Sequence, residues 1–200
     1  MNPTDMQFSA LQRALHWLMA ICIVAMLFIG VGLVSTIRPD HLTLVSIHKP
    51  LGIAILVLAL FRLVVRLRRG APPLPESMPQ PLKLAAHLSH LAFYALMIAL
   101  PLLGWGMLSA GDYPVVVAGV HLPSIAPHSN GLHTLLWNAH WLLAFCFFAL
   151  IVVHIAAALF HALVRRDGVF EAMSPWRERE HAPTIAASPG LPYPDRGKGD

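Results

Sequence analysis

Apolar positions fall in four long runs separated by short polar stretches. Residues 14–37 contain no Asp, Glu, Lys or Arg; neither do residues 50–61, and that run continues through Arg62 to Leu67. Residues 84–111 and 113–164 are equally free of formal charge. A membrane-spanning helix needs about 20 mostly apolar residues at about 1.5 Å rise each. The pattern predicts an all-α membrane protein, a bundle of four spans at about residues 14–36, 48–67, 83–108 and 132–164. The last run is too long for a helix alone. Its first part holds Pro114, Gly119, Pro123, Pro127 and a Ser-Asn-Gly turn, so residues 109–131 read as a long ordered loop. The fourth helix, from about residue 131 to 165, exceeds a bilayer's thickness and should project at one end. Residues 8–176 form one domain, and the polar, Pro- and Gly-rich residues 177–200 read as a disordered tail.

Composition agrees. Of 200 residues 56% are hydrophobic and 12% charged, with a mean hydropathy of +0.63. Soluble domains carry about 25% charged residues, so an ordinary soluble enzyme and a disordered chain are excluded. Cys22 and Cys146 lie in apolar runs outside any CxxC or CxxCH pattern, which excludes a disulfide scaffold, a dithiol motif and covalent c-type haem attachment. The net charge of +4 matters less than its placement. Arg62, Arg66, Arg68, Arg69 and Lys83 lie around the connection between spans two and three, and Arg165 and Arg166 end span four. The loop at 109–131 has no Lys or Arg, and the first connection has Arg38 with Lys49 at its edge. The positive-inside rule then predicts both termini in the cytoplasm. A cleaved signal peptide is not expected, since Asp5 precedes an apolar run too long for an h-region and no A-x-A site follows. Nucleic acid is not an expected partner; the lipid bilayer is.

Twelve histidines outnumber the ten acids. His140 and His154 share one predicted helix, 14 residues apart. That is about 3.9 turns and about 21 Å, which places both on nearly one face, one toward each side of the membrane. Either could be a lone hydrogen-bonded core histidine, although polar groups at such depth tend to be functional. The other spans supply partners. His16 opens span one at the depth of His154, and His48 opens span two at the depth of His140. Two His–His pairs suit an iron porphyrin held between two neutral imidazoles. A zinc site would need three or four clustered ligands.

The 14-residue interval recurs. From His16 it reaches Gly30, and from His90 it reaches Gly104. Each offers a position without a side chain where a flat macrocycle could approach the backbone, as does Gly52 one turn beyond His48; small-residue helix packing is the alternative. From His48 the same interval reaches Arg62, and no Asp or Glu occurs between Asp40 and Glu76. A haem propionate would supply the missing carboxylate. His87 and His90 begin span three on one face and read as hydrogen-bonding groups for a propionate or loop. His41, His121, His128, His133, His161 and His181 read as solvated polar residues.

The segments RALHWLMA, SIHKPLGI, FRLVVRLRRGAPP, LAAHLSHLAFYALMIALPLLGW and WNAHWLLAFCFFALIVVHIAAALFH resemble, in order, the four spans of the bacterial cytochrome b561 family, which is related to the cytochrome b subunits of nickel-iron hydrogenases and formate dehydrogenases. The resemblance covers about residues 8–176. It implies two b-type haems in a bacterial inner-membrane bundle, with axial ligands His16 and His154 on the cytoplasmic side and His48 and His140 on the outer side. It also implies electron transfer between an outer donor and membrane quinone, with ubiquinone as acceptor. Family members of this length include superoxide oxidases, so superoxide is the expected donor, or else a periplasmic carrier. A haem-bearing anchor subunit of a dehydrogenase or hydrogenase, and a haem-free histidine-rich transporter or packing bundle, are the other readings. Catalytic residues beyond the haem ligands are not identified by the sequence.

Overall fold

The computed structural model describes residues 7–35 and 40–175. It contains four long helices, α1 (Ala10–Ser35), α2 (Asp40–Arg69), α3 (Gln80–Ala110) and α4 (Asn130–Phe160), each long and apolar enough to cross a membrane. The predicted tail at 177–200 lies outside the described residues. α2 and α3 run past the predicted spans at both ends, as does α4 with the turn that continues it to Arg165, and α1 does so at its first end. The apolar run marks the part of a helix that lipid covers, whereas backbone hydrogen bonding carries the helix into polar sequence. α2 starts eight residues before His48 and takes Pro50 within its body, as α3 takes Pro101; membrane helices tolerate such breaks because neighbours recapture the freed backbone groups.

Helix ends follow local chemistry. The hydroxyl of Ser129 caps α4 by accepting the Leu132 N–H at 3.3 Å. Pro81 sits in the first turn of α3, where its missing N–H costs nothing. α2 stops at Gly70, left-handed at φ 71°, whose N–H reaches the Arg66 carbonyl at 2.9 Å. Past α4 the chain makes a π-helical turn at His161–Arg165 and a 3-10 turn at Glu171–Met173. The connection between α3 and α4 contains a short hairpin of two-residue strands, β1 (Val116–Val117) with β2 (Val120–His121), in register Val116 to His121.

α1 lies along α2, α2 along α3 and α3 along α4. The buried centre comes from all four helices: Met19 and Ile23, Ile55 and Ala59, Met97, and Phe147. At the end bearing Arg66, Arg68 and Arg69, here the basic end, the buried Gln12 donates to the Gly70 carbonyl at 2.9 Å and ties α1 to the end of α2. There Trp17 donates to the Met173 carbonyl at 3.0 Å, and the Phe8 N–H to that of Ala172 at 3.1 Å. The segment after α4 is thereby folded back against α1. The opposite end carries the hairpin.

Candidate functional site

At the basic end, His16 of α1 and His154 of α4 face each other with ring centroids 6.3 Å apart, crossed at 68°. Phe93 of α3 meets His154 edge-on at 5.0 Å and fixes the tilt of that ring. His90, also on α3, lies 6.5 Å from His154. Arg62 of α2 reaches the same level, its Nη2 donating to His16 Nδ1 at 3.1 Å while its Cζ lies 5.8 Å from the Tyr94 ring centroid. Because a guanidinium only donates, Nδ1 of His16 accepts in this arrangement.

At the hairpin end, His48 of α2 and His140 of α4 form the second pair, with centroids 6.2 Å apart and planes at 65°. His140 Nδ1–H donates to the Leu100 carbonyl of α3 at 3.0 Å. That bond selects the tautomer with a free Nε2, as an imidazole that binds a metal through Nε2 requires. Gly104, one turn beyond Leu100, lies against the same ring: a Cβ there would stand 3.4 Å from His140 Cε1 and 3.6 Å from Nδ1, an ordinary contact. His48 Nδ1 is buried without a hydrogen-bond partner among the described residues.

Both pairs fit one chemistry. A metal held at about 2 Å from one nitrogen of each of two opposed imidazoles sets the ring centroids about 6 Å apart, close to the 6.3 and 6.2 Å found here. Among the described residues no three His, Cys, Asp or Glu converge on one point that could hold a metal ion. A metal taking two protein ligands per site, the rest coming from a planar macrocycle, is the type these residues suit.

The other predicted residues divide. Arg62 and His90 join the basic-end pair. His87 is exposed and its Nδ1 lies 2.6 Å from the Lys83 carbonyl of its own helix, away from the pair. A Cβ added at Gly30 would meet nothing within 4 Å, and one at Gly52 would meet only Met26 Cε at 3.8 Å, an ordinary contact between α1 and α2. Tyr94, Phe93 and the Leu100 carbonyl carry no signal in the sequence reading above. Phe93 and Tyr94 lie three and four residues beyond His90, so the helical period could have found them. Elsewhere His133 Nδ1 bonds the Met107 carbonyl at 2.7 Å, and the exposed His128 pairs with Asp112 at 3.0 Å.

The chain is 33% identical over 171 residues to the probable superoxide oxidase CybB of Yersinia pestis, an alignment spanning 84% of this chain and 96% of that protein. It is 29% identical over 176 residues to cytochrome b561 homolog 1 of Escherichia coli K12 (86% and 99%), and 28% over 174 residues to homolog 2 (85% and 92%). Residues 7–176 match the family described as prokaryotic cytochrome b561. With four membrane-spanning helices and paired histidines near both ends, the chain belongs to the prokaryotic cytochrome b561 family, membrane electron-transfer proteins whose membership implies b-type haem.

Proposed function

We propose that this protein conducts electrons across the bacterial inner membrane through two bis-histidine b haems, from a donor at the outer face to membrane quinone. The observation that carries the reading is the pair of imidazole couples, 6.3 and 6.2 Å across, set 14 residues apart on α4. The arginine-rich end faces the cytoplasm by the positive-inside rule, so the hairpin end faces outward and both termini lie inside.

When bound, haem supplies a one-electron iron couple. His16 with His154, and His48 with His140, would each hold one haem, and an iron held by two imidazoles would carry electrons without binding oxygen or substrate. His140 is set for this role by its bond to Leu100. His16 presents Nε2 as a ligand once Nδ1 carries a proton, which requires Arg62 to turn to another acceptor; a propionate at the same level is a suited partner. Along α4 the two levels are about 21 Å apart. Superoxide is the donor this reading favours, supported by the Yersinia relative named as a probable superoxide oxidase, and ubiquinone is the acceptor.

The test is spectroscopic and then kinetic. The purified protein should show a Soret band, a sharp reduced α band and about two haems per chain. His140→Leu and His154→Leu should each remove one haem and spare the other. A haem-free preparation, or equal loss of both haems from both variants, refutes the bis-histidine assignment. Superoxide consumption in stopped flow with excess quinone should outrun spontaneous dismutation; a rate no faster removes superoxide as the donor.

A further inference from the structure

A seven-residue spacing runs along α2 and α4 together. On α2 it passes through His41, His48, Ile55 and Arg62, and on α4 through His133, His140, Phe147 and His154. Seven residues are nearly two turns, so each series keeps within about 20° per step of one face and advances about 10 Å at a time. Inward of the His48–His140 pair the next step is apolar and buried on both helices, at Ile55 and Phe147. Outward it is a histidine on both. The sequence reads His41 and His133 as solvated, but both are half-buried.

His133 is held as His140 is. The Leu100 carbonyl accepts from His140 Nδ1 at 3.0 Å, and the Met107 carbonyl, seven residues further along α3, accepts from His133 Nδ1 at 2.7 Å. The ring of His133 lies over Gly111, where a Cβ would stand 2.8 Å from Nδ1, so a side chain there would displace the imidazole. With Nδ1–H given to the carbonyl, Nε2 of His133 makes no hydrogen bond among the described residues. It donates one only when the ring carries a second proton, and such an imidazolium binds a carboxylate through a charge-assisted bond. His41 Nδ1 is buried without a hydrogen-bond partner among the described residues, and buried polar atoms are normally paired.

At the far end of α4 the same series reaches His161, and there the chain supplies the acid. The left-handed Arg166, at φ 50°, carries Asp167 back to 2.8 Å from His161 Nδ1 and 2.9 Å from Arg165 Nε. Among the described residues no carboxylate pairs with His41 or His133; Asp112 lies against the exposed His128 instead. Lys49 is also engaged elsewhere, on the Pro114 carbonyl at 3.3 Å.

We propose that His41 and His133 hold the two propionates of the haem carried by His48 and His140. The inference rests on the reading above that this pair carries a haem. Burial sets the direction. A propionate turned inward would meet the layer of Ile55 and Phe147, where an ionised carboxylate finds neither partner nor water. Turned outward, it comes level with His41 and His133, one on each helix that supplies an axial ligand.

The test measures haem loss from the full-length protein in detergent, with excess apomyoglobin to capture what is released. The haem that His140→Leu removes should leave His41→Gln and His133→Gln at least about tenfold faster than wild type, as the loss of a hydrogen bond to a charged group implies, while the other haem leaves at its wild-type rate. Wild-type rates in both variants overturn the proposal. Equal acceleration of both haems also overturns it, because the defect then lies in the fold. Reconstitution with haem b dimethyl ester separates propionate binding from packing. Esterification should speed loss of this haem from wild type by about the same factor, but less than about twofold from the double variant; an equal effect in both overturns the proposal. Should the glutamine variants not accumulate, Gly111→Ala decides, since it displaces His133 without removing it: this haem should again leave faster, and an unchanged rate overturns the proposal. A wild type without haem refutes the haem reading instead.

Discussion

The imidazole of His140 lies against Gly104, its Cε1 standing 3.4 Å from where a Cβ at that position would be, which leaves room for a methyl but for nothing larger in that direction. The ring is thereby laid against the backbone of α3, close enough for Nδ1–H to reach Leu100. The cost of a larger residue should follow from the spacing. One methyl at 3.4 Å is an ordinary van der Waals contact, so Gly104→Ala should keep two haems per chain. Gly104→Leu would drive the ring away from Leu100 and should cut haem content from two to one. Pyridine haemochrome quantitation checks this; a Leu variant with two haems would show that Gly104 does not position His140.

Arg62 places a charge beside the basic-end pair, 3.1 Å from His16. A cation near an iron centre favours the reduced state, which carries one positive charge fewer. Two unit charges about 8 Å apart interact by about 2 kcal/mol at an effective dielectric of 20, and a propionate would offset part of that. Arg62→Gln should therefore lower one midpoint potential by tens of millivolts while leaving the other unchanged. A redox titration resolving both haems reads this directly. A shift of both potentials, or of neither, would refute the assignment of Arg62 to one haem.

The parts of this protein that a helix's own repeat determines could be read from residues alone. A charge-free run long enough to span, and an interval of 14 residues, translate directly into depth and face, which is why His16, His48, His140 and His154 can be paired from the chain itself. What stayed hidden depends on contacts between elements. Gly104 reads as clearance for a macrocycle, and its contact with the ring of His140 shows only in the packing of α3 on α4. Arg62 reads as a cation without a carboxylate partner, and its contact with His16 arises only through packing of α1 on α2. The hairpin is too short for any periodicity, and its turn places Ala118 and Gly119 at φ 49° and 81°, where Asn or Asp before Gly would have been the recognisable signal. Asp167 gave no sign because its partners become neighbours only through the left-handed Arg166.

Asp167 predicts a pH dependence of stability. Its folded-state proton affinity is lowered, because the His161 and Arg165 hydrogen bonds outweigh the effect of burial. Such a group stabilises the fold above the unfolded carboxyl's range, and that contribution is lost as pH falls through the lowered folded value. Asp167→Asn should thus reduce the melting temperature at pH 6 to 7, and the difference from wild type should shrink toward zero below the carboxylate range. Thermal scans of detergent-solubilised protein at several pH values check the sign. A difference that is constant with pH would mean that the charge on Asp167 does not stabilise the end of α4.

At the hairpin end, Lys49 follows His48 in the chain and extends its ammonium to the Pro114 carbonyl at 3.3 Å, while Asp112, 72% exposed, offers a charge of opposite sign beside His128. An anionic donor approaching this face is attracted by the first and repelled by the second, and both forces fall off over about 10 Å at moderate salt. If superoxide delivers electrons here, Lys49→Gln should slow reduction of the oxidised protein by about two- to fivefold, and Asp112→Asn should speed it by a similar or smaller factor. Both effects should fade at high salt, because screening removes the long-range part while leaving the buried histidine pairs untouched. Changes of the same sign in the two variants, or effects that persist at high salt, would mean that electron entry is not steered by these charges. An uncharged donor, in contrast, should be indifferent to both substitutions, so running the same variants with a neutral reductant separates steering of the donor from any alteration of the neighbouring His48.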